Sequence, residues 1–218
     1  MVLRKMQALL GKLYDLPSNY DIYDFLVTDR ARLASYWRAS PAEEVDERVL
    51  VSQTASDVRI GVYIDAAVLK RLDAENPFLA LNDANLADYC AALEGVSHFQ
   101  YLAWRVAQAE AVSLLELELQ AEVDKYAAAM ALLTSQCAGR FPGALHDRLF
   151  RGVRYAAGLS AEEESRYRIA NERAAMFCRR LDRRFLLDKR GARPEAWLQA
   201  LRRFYRCGGA AKVRQAAA

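Results

Sequence analysis

Residues 111–136, AVSLLELELQAEVDKYAAAMALLTSQ, form the helical pattern that decides the expected fold. At about 100° per residue, apolar side chains cover most of the circumference of this helix. A helix that is apolar on most sides normally lies at the centre of a fold. One arc of about 80° is polar and is expected to face solvent; it holds Ser113, Glu116, Gln120 and Asp124.

Two carboxylates of the same helix lie opposite that polar arc. Glu118 and Glu122 fall between two apolar arcs, with Lys125 in the same sector. A carboxylate in an apolar surrounding is costly unless it is paired, protonated or bound to a metal. These two residues are therefore the first candidates for a functional site.

The preceding helix, from Asp83 or Asn85 to about Gln108, has a polar stripe of its own. The stripe follows a 4-3-4 spacing and is separate from the apolar face; it contains Glu94, His98, Tyr101 and Arg105. A short connection near Ala109 predicts that the two long helices pack antiparallel. The stripe would then face Glu118 and Glu122.

Three interpretations of this set remain open. In the first, the Glu94 stripe faces water, and the two inward carboxylates pair with Lys125 and an arginine such as Arg105, Arg154 or Arg173. In the second, inward carboxylates and an imidazole bind a divalent metal, as in helical-bundle metalloenzymes; its ligands are Glu94, His98, Glu118 and Glu122. In the third, His98 and a glutamate of raised pKa act as acid and base without a metal.

The remaining pattern predicts one β-hairpin among helices. Alternation of apolar and polar residues predicts strands at 47–53 and 57–65, joined by the turn TASD at 54–57. Asp21 is a candidate N-cap for a helix from Ile22 to Trp37 that Ser40-Pro41 would end. A short first helix is expected from the spacing of Leu3, Met6, Leu10 and Leu13. Further helices are expected at about 66–74 and 146–150, from Ser160 to Leu187 with a capping box, and from Pro194. Residues 210–218 are expected to be a frayed tail.

These elements predict an α+β fold that is mainly α. We expect a helical bundle with a central antiparallel helix pair and one β-hairpin. The expected domain is single and covers 1–209; within it, 1–139 is acidic, with the hairpin at 47–65 and the helix pair, and 140–209 is rich in arginine.

The charge of the chain is unevenly distributed. The 218 residues carry 31 Lys+Arg and 28 Asp+Glu, a net charge of +3. Residues 1–139 hold 12 basic and 20 acidic side chains, whereas residues 140–218 hold 19 and 8. Such asymmetry indicates a partner of one sign or two halves that complement each other. The candidate polyanion-binding residues lie on the last two expected helices; they are Arg179, Arg180, Arg183, Arg184, Arg202, Arg203 and Arg206.

Absent motifs narrow the function classes. The sequence has no GxGxxG, GxxxxGK[ST], GxSxG or HExxH motif, so no nucleotide cofactor is indicated. Its four cysteines are widely spaced without a CxxC pair, which is typical of a reducing compartment and disfavours a structural zinc site. We expect neither a signal peptide nor a transmembrane segment, and therefore a cytoplasmic protein.

The sequence favours a non-catalytic binding, adaptor or regulatory protein that presents its arginine-rich helices to an acidic protein or another polyanion. The alternative is the helical-bundle metalloenzyme with a Glu/His site, and the third class is a nucleic-acid-binding protein. Whether the protein is an enzyme is left open, and a homo-oligomer is compatible with the sequence.

Overall fold

The protein is mainly helical and divides into two compact units. A computed structural model describes residues 1–17, 19–31, 46–54, 58–153, 155, 158–188 and 191–217, and these ranges contain eight α-helices and a three-stranded sheet. Unit 1 is Met1–Ala8 with Ser18–Glu110, and unit 2 is Leu9–Pro17 with Ala111–Ala218. The mainly helical class is as predicted. The single domain over 1–209 stays a prediction.

The start of unit 1 differs from the sequence prediction. Helix α1, Val2–Tyr14, contributes residues up to Ala8 to unit 1. Asp21 caps a helix as expected, because its side chain accepts a hydrogen bond from the Tyr23 backbone N–H at 3.1 Å. That helix is only the 3-10 turn Ile22–Asp24, and strand β1, Leu26–Val27, follows. The prediction of an α-helix is therefore wrong for 22–27; its part over 32–37, with the Ser40-Pro41 stop, lies outside the described residues.

The sheet of unit 1 contains three strands in the order β1-β3-β2. Strand β2, Glu47–Gln53, pairs antiparallel with β3, Val58–Ile64, from Glu47↔Ile64 to Gln53↔Val58. Strand β1 pairs parallel with β3, and the Val62 N–H donates to the Phe25 carbonyl at 2.9 Å. This pairing holds residues 26–27 extended, which a pattern within one segment does not reveal. Residues 55–57 of the expected turn lie outside the described residues.

Two helices of unit 1 pack on each other, and one of them covers the sheet. Helix α2, Ala66–Ala74, begins where the Asp65 side chain accepts from the Ala67 N–H, and helix α3, Leu86–Val106, packs on β2 and β3. Gly95 of α3 faces the sheet, where an added Cβ would lie 3.0 Å from Val62 Cγ1 and 3.3 Å from Glu47 Oε2. The glycine therefore allows α3 to approach the sheet more closely than a side chain would permit.

Unit 2 is built on two long helices. Helix α4, Leu114–Gln136, starts at Ser113, whose Oγ accepts from the Glu116 N–H, and packs against α6, Ala161–Phe185. The expected capping box of Ser160 and Glu163 opens α6. Helix α5, Leu145–Phe150, and helix α7, Pro194–Arg206, both contact α6. Because α3 and α4 belong to different units, their antiparallel pairing stays a prediction.

The C-terminus of unit 2 is helical where the sequence predicts a frayed tail. Residues Gly209–Ala217 form helix α8, in which Lys212 and Ala216 are buried. The Gly209 N–H donates to Glu116 Oε2 at 2.9 Å, and arginines of α6 bind two carbonyls near the other end. Tertiary contacts therefore stabilise a nine-residue segment that would be marginal as an isolated helix.

None of the helices in the described ranges is long and apolar enough to cross a membrane.

Replacement of Gly95 tests the close approach of α3 to the sheet. We expect Gly95→Leu to lower the free energy of unfolding by about 1–3 kcal/mol, because the new side chain overlaps the space of Val62 and Glu47. Urea unfolding followed by circular dichroism measures this. Gly143→Leu is the matched control, since a Cβ at that exposed turn meets no atom within 4 Å; equal destabilisation by both variants would contradict the prediction.

Candidate functional site

Helix α3 places Glu94 and His98 one turn apart in unit 1. His98 is buried and Glu94 is half-buried, so this part of the stripe does not simply face water as the first interpretation of the sequence has it. The adjacent apolar face is as expected, with Tyr89, Leu93 and Val96 all buried. The imidazole therefore lies inside unit 1 and not on its surface.

A carboxylate that the sequence does not single out lies beside His98. Glu47 Oε2, from the first residue of β2, is 3.7 Å from His98 Nδ1, and the Glu47 side chain is 16 % exposed. Gly95 follows Glu94 in the chain, and because it has no side chain it leaves the space in which the Glu47 carboxylate lies. The pairing depends on how α3 crosses the sheet, so no spacing within either segment could have indicated it.

The two inward carboxylates of α4 have cationic neighbours in unit 2. Glu122 Oε1 accepts a hydrogen bond from Lys125 Nζ at 2.7 Å, which is the partner expected in the first interpretation. Glu118 is buried as predicted, and Arg166 Nε lies 4.0 Å from its Oε1. Among the arginines proposed from sequence, Arg173 donates instead to the Val213 carbonyl and Arg105 pairs with Glu110; Arg154 lies outside the described residues.

The four residues proposed as metal ligands are divided between the units. Glu94 and His98 belong to unit 1, whereas Glu118 and Glu122 belong to unit 2. Their convergence on one ion therefore stays a prediction.

The arc of α4 that was expected to face solvent is buried. Glu116, Gln120 and Asp124 are all within the core of unit 2. The Tyr14 hydroxyl at the end of α1 donates to Asp124 Oδ1, and Gln120 Nε2 donates to the same oxygen at 2.6 Å. The expectation is wrong because the ends of two other helices, α1 and α8, cover this arc and donate hydrogen bonds to Asp124 and Glu116.

The hydrogen bonds around Asp124 affect the pKa of the Tyr14 hydroxyl. Burial and the neighbouring Asp124 carboxylate raise the pKa of Tyr14 well above its usual value, since both disfavour a phenolate. The Tyr14 ring stacks on Tyr205 of α7, with ring centroids 4.2 Å apart. Tyr14 therefore stays a neutral hydrogen-bond donor that ties α1 to α4 and α7.

A second buried carboxylate lies between α4, α6 and α7. Asp182 accepts hydrogen bonds from the Tyr126 hydroxyl and, at 3.1 Å, from Trp197 Nε1. Burial raises the pKa of Asp182 above its usual range, against the opposing effect of the two hydrogen bonds. Burial also raises the pKa of Cys178, so its thiol is inert rather than nucleophilic.

Several of the seven candidate arginines cap helices of unit 2. Arg202 donates to the Leu13 and Lys12 carbonyls at 2.9 and 3.1 Å, and Arg206 donates to the Tyr14 carbonyl at 3.1 Å. These are carbonyls of the last turn of α1, which have no partner within their own helix. Arg180 does the same for α8, through the Gln215 carbonyl at 2.6 Å.

The other candidate arginines separate into one engaged residue and three exposed ones. Arg179 lies 3.1 Å from His146 Nδ1 and 3.2 Å from Asp147 Oδ1. Arg183, Arg184 and Arg203 are exposed. The structure therefore does not bring all seven together as one free basic surface: four of them bind groups of unit 2 itself.

Comparison of the chain with family models, with curated proteins and with solved structures finds no match.

The capping role of Arg202 is tested against its neighbour. We expect Arg202→Ala to lower the free energy of unfolding by about 1 kcal/mol or more, because two carbonyls at the end of α1 lose a charged donor. Arg203→Ala is the control on the same helix, and as an exposed substitution it should change stability by less than about 0.5 kcal/mol. Urea denaturation measures both, and equal values would refute the capping role.

The buried Asp182 predicts a pH dependence of stability. Because its pKa is raised in the folded protein, the folded state binds more protons than the unfolded state above about pH 4, so stability falls as the pH rises through the folded pKa. A tenfold difference in proton affinity between the two states corresponds to about 1.4 kcal/mol. We expect the free energy of unfolding of the wild type, minus that of Asp182→Asn, to decrease between about pH 4 and pH 7; a constant or rising difference would contradict the assignment.

Proposed function

We propose that unit 2 is a binding module for an acidic, amphipathic segment of a partner protein, which docks on the C-terminal half of α6. The docking surface, here called the α6 face, consists of Met176, Arg183, Arg184 and Leu187. The carrying observation is that two large apolar side chains stay exposed beside two exposed arginines.

The apolar part of the α6 face provides the anchors. Met176 is 53 % exposed, and Leu187, just beyond the end of α6, is 55 % exposed. Arg183 is seven residues from Met176 and so shares its side of the helix. Methionine adapts to differently shaped partners, which suits a surface that receives apolar side chains.

The charged part of the α6 face favours a partner of negative charge. Residues 140–218 carry 19 basic and 8 acidic side chains. Acidic groups near this part of the chain are engaged, since Asp188 accepts from Arg193 at 3.0 Å and Asp147 pairs with Arg179. Arg183 and Arg184 are exposed, and the Arg184 guanidinium lies over the Phe185 ring, with its Cζ 5.2 Å from the ring centroid. An exposed guanidinium can bind a carboxylate with two parallel hydrogen bonds.

The opposite side of α6 holds the surface in place. Phe177, Leu181 and Phe185 are buried in unit 2, and the capping box fixes the first turn. The backbone of a well-anchored helix loses little freedom when a partner binds, so the backbone of the α6 face is preorganised. A partner helix with carboxylates and two apolar anchors is complementary to it.

The proposal favours a protein partner over a nucleic acid. Arg202, Arg206 and Arg180, which a phosphate backbone would otherwise use, donate to carbonyls of unit 2. The remaining exposed cations stand beside apolar side chains, and this combination fits an amphipathic peptide better than a run of phosphates.

Fluorescence anisotropy with a labelled probe tests the proposal. The probe is a synthetic helix-forming peptide of about 16 residues, with Leu at two positions on one side of the helix and Glu at most other positions. A basic peptide of the same design is the negative probe. We expect the full chain to bind the acidic peptide, and Arg183→Glu with Arg184→Glu to weaken binding by about tenfold or more, since each lost or reversed ion pair contributes up to about 1 kcal/mol. Met176→Ser with Leu187→Ser should weaken it comparably.

Arg168→Glu is the matched control, because Arg168 is exposed on the same helix outside the α6 face and pairs with Glu172. It should leave the affinity within about twofold. Absence of binding to the acidic peptide, or equal losses for Arg168→Glu, would overturn the proposal. Tighter binding to single-stranded nucleic acid, falling steeply between about 50 and 200 mM salt, would instead assign the surface to phosphates.

A further inference from the structure

We propose that unit 1 contains a divalent transition-metal site in which Glu94 and His98 are ligands and Glu47 orients the imidazole. The site is independent of the α6 face, since all three residues belong to unit 1.

The spacing on α3 provides two ligands of suitable type. Residues four apart lie above one another on a helix, so the Glu94 carboxylate and the His98 ring share one side of α3. A carboxylate with one imidazole suits manganese, iron or zinc, whereas calcium and magnesium prefer oxygen ligands alone.

The position of Glu47 gives the imidazole an orienting partner. A histidine that binds a metal through one ring nitrogen commonly donates its other N–H to a carboxylate, which fixes the tautomer and the orientation of the ring. Glu47 Oε2 lies 3.7 Å from Nδ1 of His98. This distance is longer than a hydrogen bond, so the Glu47 carboxylate acts through its negative charge, which favours the proton on Nδ1 and leaves the Nε2 lone pair for a metal.

Gly95 makes this arrangement sterically feasible. A Cβ at position 95 would lie 3.3 Å from Glu47 Oε2 and 3.0 Å from Val62 Cγ1. The absence of a side chain lets β2 deliver Glu47 to the ring of His98 while both remain largely buried. Burying an ion pair costs about as much free energy of desolvation as the pair returns in attraction. Two glutamates and a histidine from two elements are therefore not explained as a purely structural ion pair in this largely buried place.

The carboxylates of α4 are not part of the proposed ligand set. Glu122 is engaged by Lys125, and Glu118 belongs to unit 2.

Metal binding by the untagged full chain tests the proposal. Protein stripped with EDTA is titrated with Mn²⁺, Co²⁺ and Zn²⁺ and analysed by calorimetry and elemental analysis. We expect about one equivalent of at least one of these ions, with Co²⁺ giving the visible bands of a nitrogen-containing site. Glu94→Gln and His98→Ala should each weaken binding at least tenfold.

The role of Glu47 has its own readout. As a positioning residue, its change to Gln should weaken metal binding by about 10–100-fold, and it should shift the pH dependence of binding, because Gln does not favour the Nδ1–H tautomer through its charge. Glu47→Asp should restore part of the affinity. A merely structural role would change stability and leave the pH profile of binding where it was.

The second histidine is the matched control. His146 lies in unit 2, so His146→Ala should leave the metal affinity unchanged. In the wild type, Mn²⁺ should broaden the imidazole NMR signals of His98 before those of His146, and this measurement needs no variant that folds poorly. Failure of all three ions to bind stoichiometrically, or broadening of His146 first, would overturn the proposal; neither result bears on the α6 face.

Discussion

Burial of α4 on nearly all sides is the constraint on which unit 2 depends. A helix that is surrounded by protein cannot leave its polar side chains to water, so each must find a partner inside. Asp124 finds Tyr14 and Gln120, Glu116 finds the first N–H of α8, and Glu122 finds Lys125. These bonds decide where the ends of α1 and α8 lie. The polar residues of α4 thus specify which elements surround it, while its apolar residues supply the driving force.

Arginine has two roles in this protein, and the structure separates them. Arg202, Arg206 and Arg180 are long enough to reach carbonyls at the ends of other helices, and they complement the negative end of each helix dipole. Arg183 and Arg184, on α6, remain exposed instead. Composition alone cannot distinguish the two roles, because both place an arginine on the polar side of an amphipathic helix.

Sequence patterns within one segment predicted most of the helices, but they did not predict the contacts between segments that are distant in the chain. Ser160 and Pro194 mark helix starts that the structure contains, because both signals are local. The short parallel strand β1 was missed because its extended conformation depends on β3. The burial of Glu118 followed from the helical wheel, but the same wheel assigned Glu116, Gln120 and Asp124 to solvent. A wheel ranks the sides of one helix by polarity and contains no information about what packs against each side. Glu47 could not be linked to His98 for the same reason.

The caps on α1 join residues that are very distant in the chain. Arg202 and Arg206 bind carbonyls about 190 positions earlier. During synthesis the second half of α1 is made long before its partners on α7 and the covering helix α8. Unit 2 therefore cannot close until residues 194–217 have been made, whereas the strands and helices of unit 1 between 18 and 110 can assemble earlier. Until then the apolar side of α1 beyond Ala8 lacks the elements that cover it in unit 2, so it is open to chaperones and to misassembly.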